Sequence, residues 1–426
     1  MPLPDVLRHR DFDLYWAGVV LSQVGTRGAV AANLYQVYEL TGSIAYTGLV
    51  GAGQAVALLV LSPLGGAYAD RVDRRRLLQV TQGVAMLVAV VLAWLTLTGR
   101  AQAWHVLVAV VLTTAAATFD QPARQALIPA LVPRSQIGQA VALLNPSREL
   151  AVLVGPLMAG VLIALGGPGL VYAVDAATYA LLVALLAVLR VPGLPPAASR
   201  RSVFESIVEG ARYITRRPLI YNLMGLDLCV TVLSAYRVLL PAIALDVLHV
   251  GSTGYGVLAG APSAGALLAT YSVFRTLQRS RRQGRVLLVS IALYGVTAIG
   301  LAWAPVFVLA VLAAGLLGAF DAIATTIRHA AVQIDTPDEI RGRVTAFHQM
   351  TSRGGPAIGD AVMGGFAGLV GPALALTVGG FGPVLVAASF WWRQNPVRSY
   401  TGDVLAGENG EFHQETHAKT RVERSD

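Results

Sequence analysis

The sequence predicts an all-α integral membrane protein with twelve transmembrane helices in two pseudo-symmetric bundles of six. Three observations carry this expectation. Of the 426 residues, 55% are apolar and only 13% charged, against roughly 25% charged in an ordinary soluble domain. A bilayer-spanning helix needs about 20 mostly apolar residues, so a dozen of them use roughly 240 and leave the rest for connections and tails. The basic residues, all but one of them arginine, fall almost entirely on one side of such a threading. The 44 glycines and 21 prolines would harm long helices in water, but small residues permit close helix packing in lipid. The single cysteine, Cys229, excludes a disulfide scaffold and a cysteine-rich metal cluster. The first 13 residues are too polar and basic, and the stretch after them too long, for a removable signal peptide, so the first helix is retained.

Taken in order, apolar stretches run at about 14–38, 44–67, 77–98, 104–119, 137–165 and 170–189, then 219–240, 255–274, 286–303, 306–327, 344–370 and 373–392. The fifth and eleventh open on polar residues. Between the sixth and seventh, Pro192, Pro195 and Pro196 break the pattern, followed by Arg200 and Arg201 and by an amphipathic piece with Phe204, Ile207, Val208, Ala211 and Ile214. The chain therefore divides into an N-terminal six-helix bundle (1–190), a linker with an amphipathic helix (191–218), a C-terminal six-helix bundle (219–393) and a polar, disordered tail (394–426).

With twelve crossings both termini share a side. Arg8 and Arg10, Arg74 to Arg76, Arg124 and Arg134, the linker arginines, Arg275 to Arg285, Arg341 and Arg343, and Arg393 and Arg398 all fall there; Arg100 falls opposite. The positive-inside rule makes that side cytoplasmic. The net charge of +8 is thereby read as topology, and nucleic-acid binding is not expected. The halves also echo each other. Gly155-Pro156-Leu157-Met158-Ala159-Gly160 in the fifth stretch matches Gly355-Pro356-Ala357-Ile358-Gly359-Asp360 in the eleventh, and Phe119-Asp120 with Arg124 matches Phe320-Asp321 with Arg328. Such a six-plus-six repeat suits alternating access.

After the second stretch, Gly66, Asp70, Arg71, Arg74 and Arg75 resemble motif A of the major facilitator superfamily, with Asp73 where the family has glycine. Gly66 permits a close helix contact, Asp70 can meet a helix N-terminus and Arg74 can bridge cytoplasmic ends, together latching an outward-facing state. The plainer reading is a basic loop that sets topology. Gly155, Pro156 and Gly160 resemble the antiporter motif of the same superfamily, with Ala142, Ala151 and Ala159 in place of glycine. These small and kinking residues suit a seal, or merely generic packing. The fourth-helix arginine motif of drug–proton antiporters is not visible. Ser234-Ala235-Tyr236-Arg237-Val238-Leu239-Leu240-Pro241-Ala242, and Gln333-Ile334-Asp335-Thr336-Pro337-Asp338-Glu339-Ile340-Arg341-Gly342-Arg343-Val344, resemble the enterobactin-exporter branch and its macrolide-efflux relatives. This resemblance implies a bacterial inner-membrane protein that exports a siderophore-like or drug-like molecule using the proton gradient. It also implies that the first, fourth, seventh and tenth helices line the cavity.

Ionisable residues inside a membrane are expensive and are default site candidates. Asp227 lies about 12 Å into the seventh stretch, and Arg237 roughly 15 Å beyond it along one continuous helix. For proton coupling Asp227 ranks first, Asp321 second and Asp175, in the sixth stretch, third, because burial disfavours the charged form of a carboxylate and lets it take and release a proton. The alternative for each is a structural pair, Asp321 with Arg328 above all. On the first helix Ser22, Thr26, Asn33 and Gln36 fall within about an 80° arc, a polar stripe expected to face the cavity with Arg237; Arg27 lies off it and serves packing or a partner. The seven histidines lack metal-ligand spacing and no phosphate-binding Gly-rich loop is present, so no metal, no cofactor and no ATP are expected. The expected partners are a small-molecule substrate, protons and the lipid bilayer, with a monomeric protein that is not an enzyme. Uptake by proton symport, or a non-transporting membrane sensor of the same fold, are the rival readings.

Overall fold

The computed structural model describes residues 5–69, 72–189, 203–279, 282–393 and 395–401. Asp70 and Arg71 of the basic motif, residues 191–202 of the linker and the tail after Thr401 lie outside these residues.

A short turn, Asp5–Arg8, leads into α1 (Arg10–Thr41), α2 (Ile44–Ala69), α3 (Arg74–Leu97), α4 (Ala103–Leu131), α5 (Ile137–Gly166) and α6 (Pro168–Val188). The amphipathic linker forms α7 (Val203–Arg216). The second half runs through α8 (Pro218–Leu233), the short α9 (Leu240–Ala242), α10 (Gly251–Arg279), α11 (Gln283–Ala302), α12 (Phe307–Ile334), α13 (Asp338–Val370) and α14 (Pro372–Trp392), and ends on α15 (Pro396–Ser399). Among the described residues nine segments are long and apolar enough to cross a membrane. The long helices α1, α10 and α13 complete the twelve. α13 packs against α2 and α10 against α5.

The turns into α6 and α14 use one device twice. Gly167 (φ 76°, ψ 178°) and Gly371 (φ 85°, ψ 161°) each cap the preceding helix in a backbone region open essentially to glycine alone. A proline, Pro168 or Pro372, then opens the next helix, where its missing N–H costs nothing. This shared turn is structural evidence for the repeat.

The seventh crossing is not a continuous helix. α8 stops at Leu233, Arg237–Leu239 forms a tight turn, and α9 leads into a wider turn at Ile243–Val247. Pro241 cannot donate to the carbonyl of Arg237 and its ring clashes with that turn, which favours the break. In lipid the freed backbone needs partners. Tyr294 donates to the Ser234 carbonyl at 3.3 Å, and Thr47 to the Val238 carbonyl at 3.1 Å. The expectation that Arg237 lies 15 Å along one helix from Asp227 is therefore corrected.

The halves are joined at the end opposite the termini, named the outer end after the side that the positive-inside rule assigns to it. There α2 meets α13 and α5 meets α10 through small residues. A β-carbon at Gly48 would stand 2.9 Å from Gly364 Cα, and one at Gly160 would stand 2.8 Å from Gly256 Cα. Tyr38 donates to Asp246, and Tyr255 to the Ala31 carbonyl at 2.8 Å, tying the first half to the second. At the other end α7 docks on the α12–α13 connection: Glu209 pairs with Arg343, and Ile214 is buried.

Candidate functional site

The second half holds a buried charge cluster where α8, α12 and α13 meet. Asp227 and Arg328 are 2% and 3% exposed, and the Arg328 guanidinium sits 2.6 Å from the Asp227 carboxylate. Ser352, on α13, donates to the other Asp227 oxygen at 2.9 Å. Arg328 also donates to Thr325 at 3.0 Å, and the Thr325 hydroxyl lies 3.4 Å from Asp321. Two charges taken out of water are tolerable only when paired and hydrogen-bonded, and this pair is both. The arrangement gives one arginine two acids: Asp227 in direct contact, and Asp321 across a single hydroxyl.

Asp321 is exposed, halfway along α12, yet within electrostatic reach of Arg328, Asp227 and Arg237. An exposed carboxylate at that depth, ringed by charges from the seventh crossing, places solvent in the middle of the protein. With the outer end shut, that solvent enters from the end bearing the termini, where His329 and Thr326 are also exposed. Arg237, at the break in the seventh crossing, pairs with Asp360 of α13 at 3.0 Å. Discontinuous helices in transporters place backbone and charge at the substrate pathway.

The residues expected to gate divide between the two ends. Gly155 packs against Arg27 and Gly28 of α1, the Pro156 carbonyl abuts Gly256, and Gly160 meets Gly256 across the halves. In the second half Gly355, beside Pro356 inside α13, packs on Thr231 of α8, and Gly364 meets Gly48. Thus α5 and α13 do the same thing twice: each touches the first helix of its own half and then a helix of the other. In the basic motif Arg74 donates to the Ala126 carbonyl at 3.1 Å and Arg75 to the Leu186 carbonyl at 2.6 Å, at the C-terminal ends of α4 and α6, where cations are favoured. Gly66 lies in the last turns of α2.

Residues 4–418 match a family described as transmembrane secretion effectors. The chain belongs to that family. It is 30% identical over 340 residues to the enterobactin exporter EntS of Citrobacter koseri, covering 79% of this chain and 80% of that one. The enterobactin exporter EntS of Salmonella typhimurium is 29% identical over the same extent. Among solved structures, the nucleoside transporter NupG superposes with a TM-score of 0.70 at 15% identity, over 90% of this chain and 98% of that chain. A bacterial homologue of the human lysosomal transporter Spinster, inward-facing and unoccupied, gives 0.63 at 15% identity, over 91% and 96%. The fold is that of the major facilitator superfamily. This secretion-effector family member is a multi-pass membrane transporter of a small molecule, and its relatives are transporters rather than enzymes.

Several expected positions in this transporter are corrected. Ser22, Thr26 and Gln36 do not face the cavity. Ser22 donates to Gln82 of α3 at 3.3 Å, Thr26 bonds Tyr179 of α6 at 2.8 Å, and Gln36 donates to Thr96 of α3 at 3.0 Å while accepting from Tyr172 of α6 at 2.9 Å. Asn33 is buried with them. The stripe glues α1 to α3 and α6. Gln36→Leu is therefore expected to cost about 1–3 kcal/mol of stability through two lost hydrogen bonds. Thermal unfolding in detergent should show the drop, with transport affinity unchanged. Asp175 likewise is buried against Gly25 of α1, away from the charge cluster. Arg328 pairs with Asp227, not with Asp321.

The sequence reading also missed residues. Asp360, Ser352 and His348 on α13 had no local signal, since their partners lie on the broken seventh crossing and on α12. Asp120 had one in the repeat: it pairs with Arg124 and accepts from Gln82 at 2.8 Å, the first half's equivalent of the acid at Asp321.

Proposed function

We propose that this transporter exports a small organic acid or catecholate, siderophore-like in chemistry, from the cytoplasm by proton-coupled alternating access. Both termini would be cytoplasmic, in a bacterial plasma membrane, with the protein working as a monomer. The observation that carries the reading is Arg328 paired with Asp227 and linked to Asp321 through the Thr325 hydroxyl. Protonation of Asp227 removes the charge that holds Arg328 and turns the guanidinium toward Asp321, across Thr325. One proton thereby becomes a change in how α8, α12 and α13 are tied, and those helices carry the cross-half contacts of α13. Arg237, exposed at the broken crossing, supplies a cation for an anionic substrate. A ligand shifts such an equilibrium only by binding one state better, so substrate and proton must favour opposite states.

The export assignment is supported by the similarity to enterobactin exporters, and the cytoplasmic termini by the one-sided arginines. Inside-out vesicles test it. With an inward-directed substrate pool of enterobactin and an imposed acid interior, vesicles containing the protein are expected to accumulate enterobactin, and collapse of the gradient is expected to stop it. Accumulation in right-side-out vesicles running with the proton gradient would instead make the protein an uptake symporter. Binding without any passage would make it a sensor.

A further inference from the structure

We propose that His348 and His329 form the route by which the coupling proton leaves the Asp227–Arg328 pair for solvent at the terminus-bearing end. The inference rests on the proton-coupled reading above and adds the residues that would carry the proton.

His348 lies on α13 one turn before Ser352, so the two share a helix face, and Ser352 donates to Asp227. It is 5% exposed, and neither ring nitrogen has a hydrogen-bond partner among the described residues. Buried imidazoles are ordinarily bonded, and an orphaned one beside a charge pair invites a functional account. Arg328 Nε, in the same cluster, is orphaned too. His329 follows Arg328 on α12 and packs edge-on against His348, ring centroids 4.7 Å apart. Unlike His348, it is exposed. The three groups thus run from a buried carboxylate, through a buried imidazole with free nitrogens, to an imidazole in contact with solvent.

The groups that reach His348 are Asp227 of α8 and Arg328 and His329 of α12. On its other sides α14 brings no titratable residue, α2 brings tyrosines near its ends, and Glu209 of α7 is already paired with Arg343. In the state shut outside and open inside, before Arg328 closes on Asp227 as observed, the proton passes from the protonated Asp227 carboxyl to an unprotonated nitrogen of His348. Its other nitrogen releases a proton to His329, and His329 releases one to solvent. Each transfer moves one proton and leaves the Asp227 carboxylate free to recapture Arg328. A cation on His348 beside Asp227 also competes with Arg328 for that carboxylate, so the relay step loosens the pair as it empties it.

The test uses the full chain in lipid nanodiscs, with Cys229 replaced by serine and spin labels on Arg100→Cys and Val306→Cys, one at the outer end of each half. Outer-end distances are read between about pH 5 and 9, where an imidazole changes charge. The wild-type background is expected to shift toward the shut outer end as pH falls. His348→Gln is expected to move or flatten that pH dependence, and His329→Gln to keep its midpoint while slowing the response to a pH jump about 100-fold, the loss of one proton-transfer group. A His348→Gln protein with the wild-type midpoint and rate overturns the relay while leaving proton coupling intact. A wild-type protein with no pH response overturns both. If His348→Gln does not fold, nitrogen-15 histidine spectra of the wild type decide: the His348 ring should titrate across the conformational midpoint, and a ring fixed in one tautomer throughout contradicts the relay.

Discussion

Asp227→Asn is expected to reduce gradient-driven transport about 100-fold, the scale at which losing a proton-transfer group is felt. Substrate binding should survive, because Arg237 and the cavity face of Asp321 are untouched. The substitution has a second, structural cost. Arg328 is left almost fully buried without its counter-charge, and breaking such a pair from one side costs about 3–5 kcal/mol. The two effects separate in a double variant. Asp227→Asn with Arg328→Gln replaces the pair by two neutral amides that can bond each other, so thermal stability should return toward the native value. Transport should not return. Normal coupled transport in Asp227→Asn would refute the role of the pair, and recovery of transport in the double variant would reduce it to a packing device.

Gly160→Leu is expected to act on the gate instead. A β-carbon there meets Gly256 Cα and the Ser252 carbonyl, both 2.8 Å away, and backbone cannot swing aside as a side chain can. Overpacking of this kind costs about 1–3 kcal/mol. That cost falls only on the state in which α5 and α10 touch, so the outward-open state gains about five- to hundredfold in population. Transport should fall in proportion, and labels at the outer end should move apart. Gly364→Val, which meets Gly48 from the other half, should do the same. Gly138→Leu, on α5 with no neighbouring atom within reach, is the control and should transport normally. Loss of transport in the control, or none in Gly160→Leu, would mean that the small-residue contacts are ordinary packing.

The twelve crossings were legible because lipid imposes a length and a composition on each, and the arginines record the threading. Partners were not. Hydropathy runs smoothly through residues 219–240, so the break before Arg237 was hidden although Pro241 and Ser234 were in view. A helical wheel gave the arc of Ser22, Thr26 and Gln36 correctly but not what faced it: polar side chains can bind neighbouring helices as readily as water or substrate. Arg328 had an acid seven residues away in sequence and another 101 residues away, and tertiary packing chose the distant one. His348 carried no spacing at all; only its buried, unpartnered ring beside Asp227 marks it.

The claim on which the rest depends is that the outer end must open for solute to pass. A β-carbon on Gly368 would lie 2.8 Å from the Ala45 β-carbon, close enough for a disulfide with a small adjustment between α2 and α13. Ala45→Cys with Gly368→Cys, in a Cys229→Ser background, should therefore cross-link on oxidation. Substrate transport into inside-out vesicles is expected to stop when the disulfide forms and to recover when it is reduced. Undiminished transport by the fully cross-linked protein would contradict it.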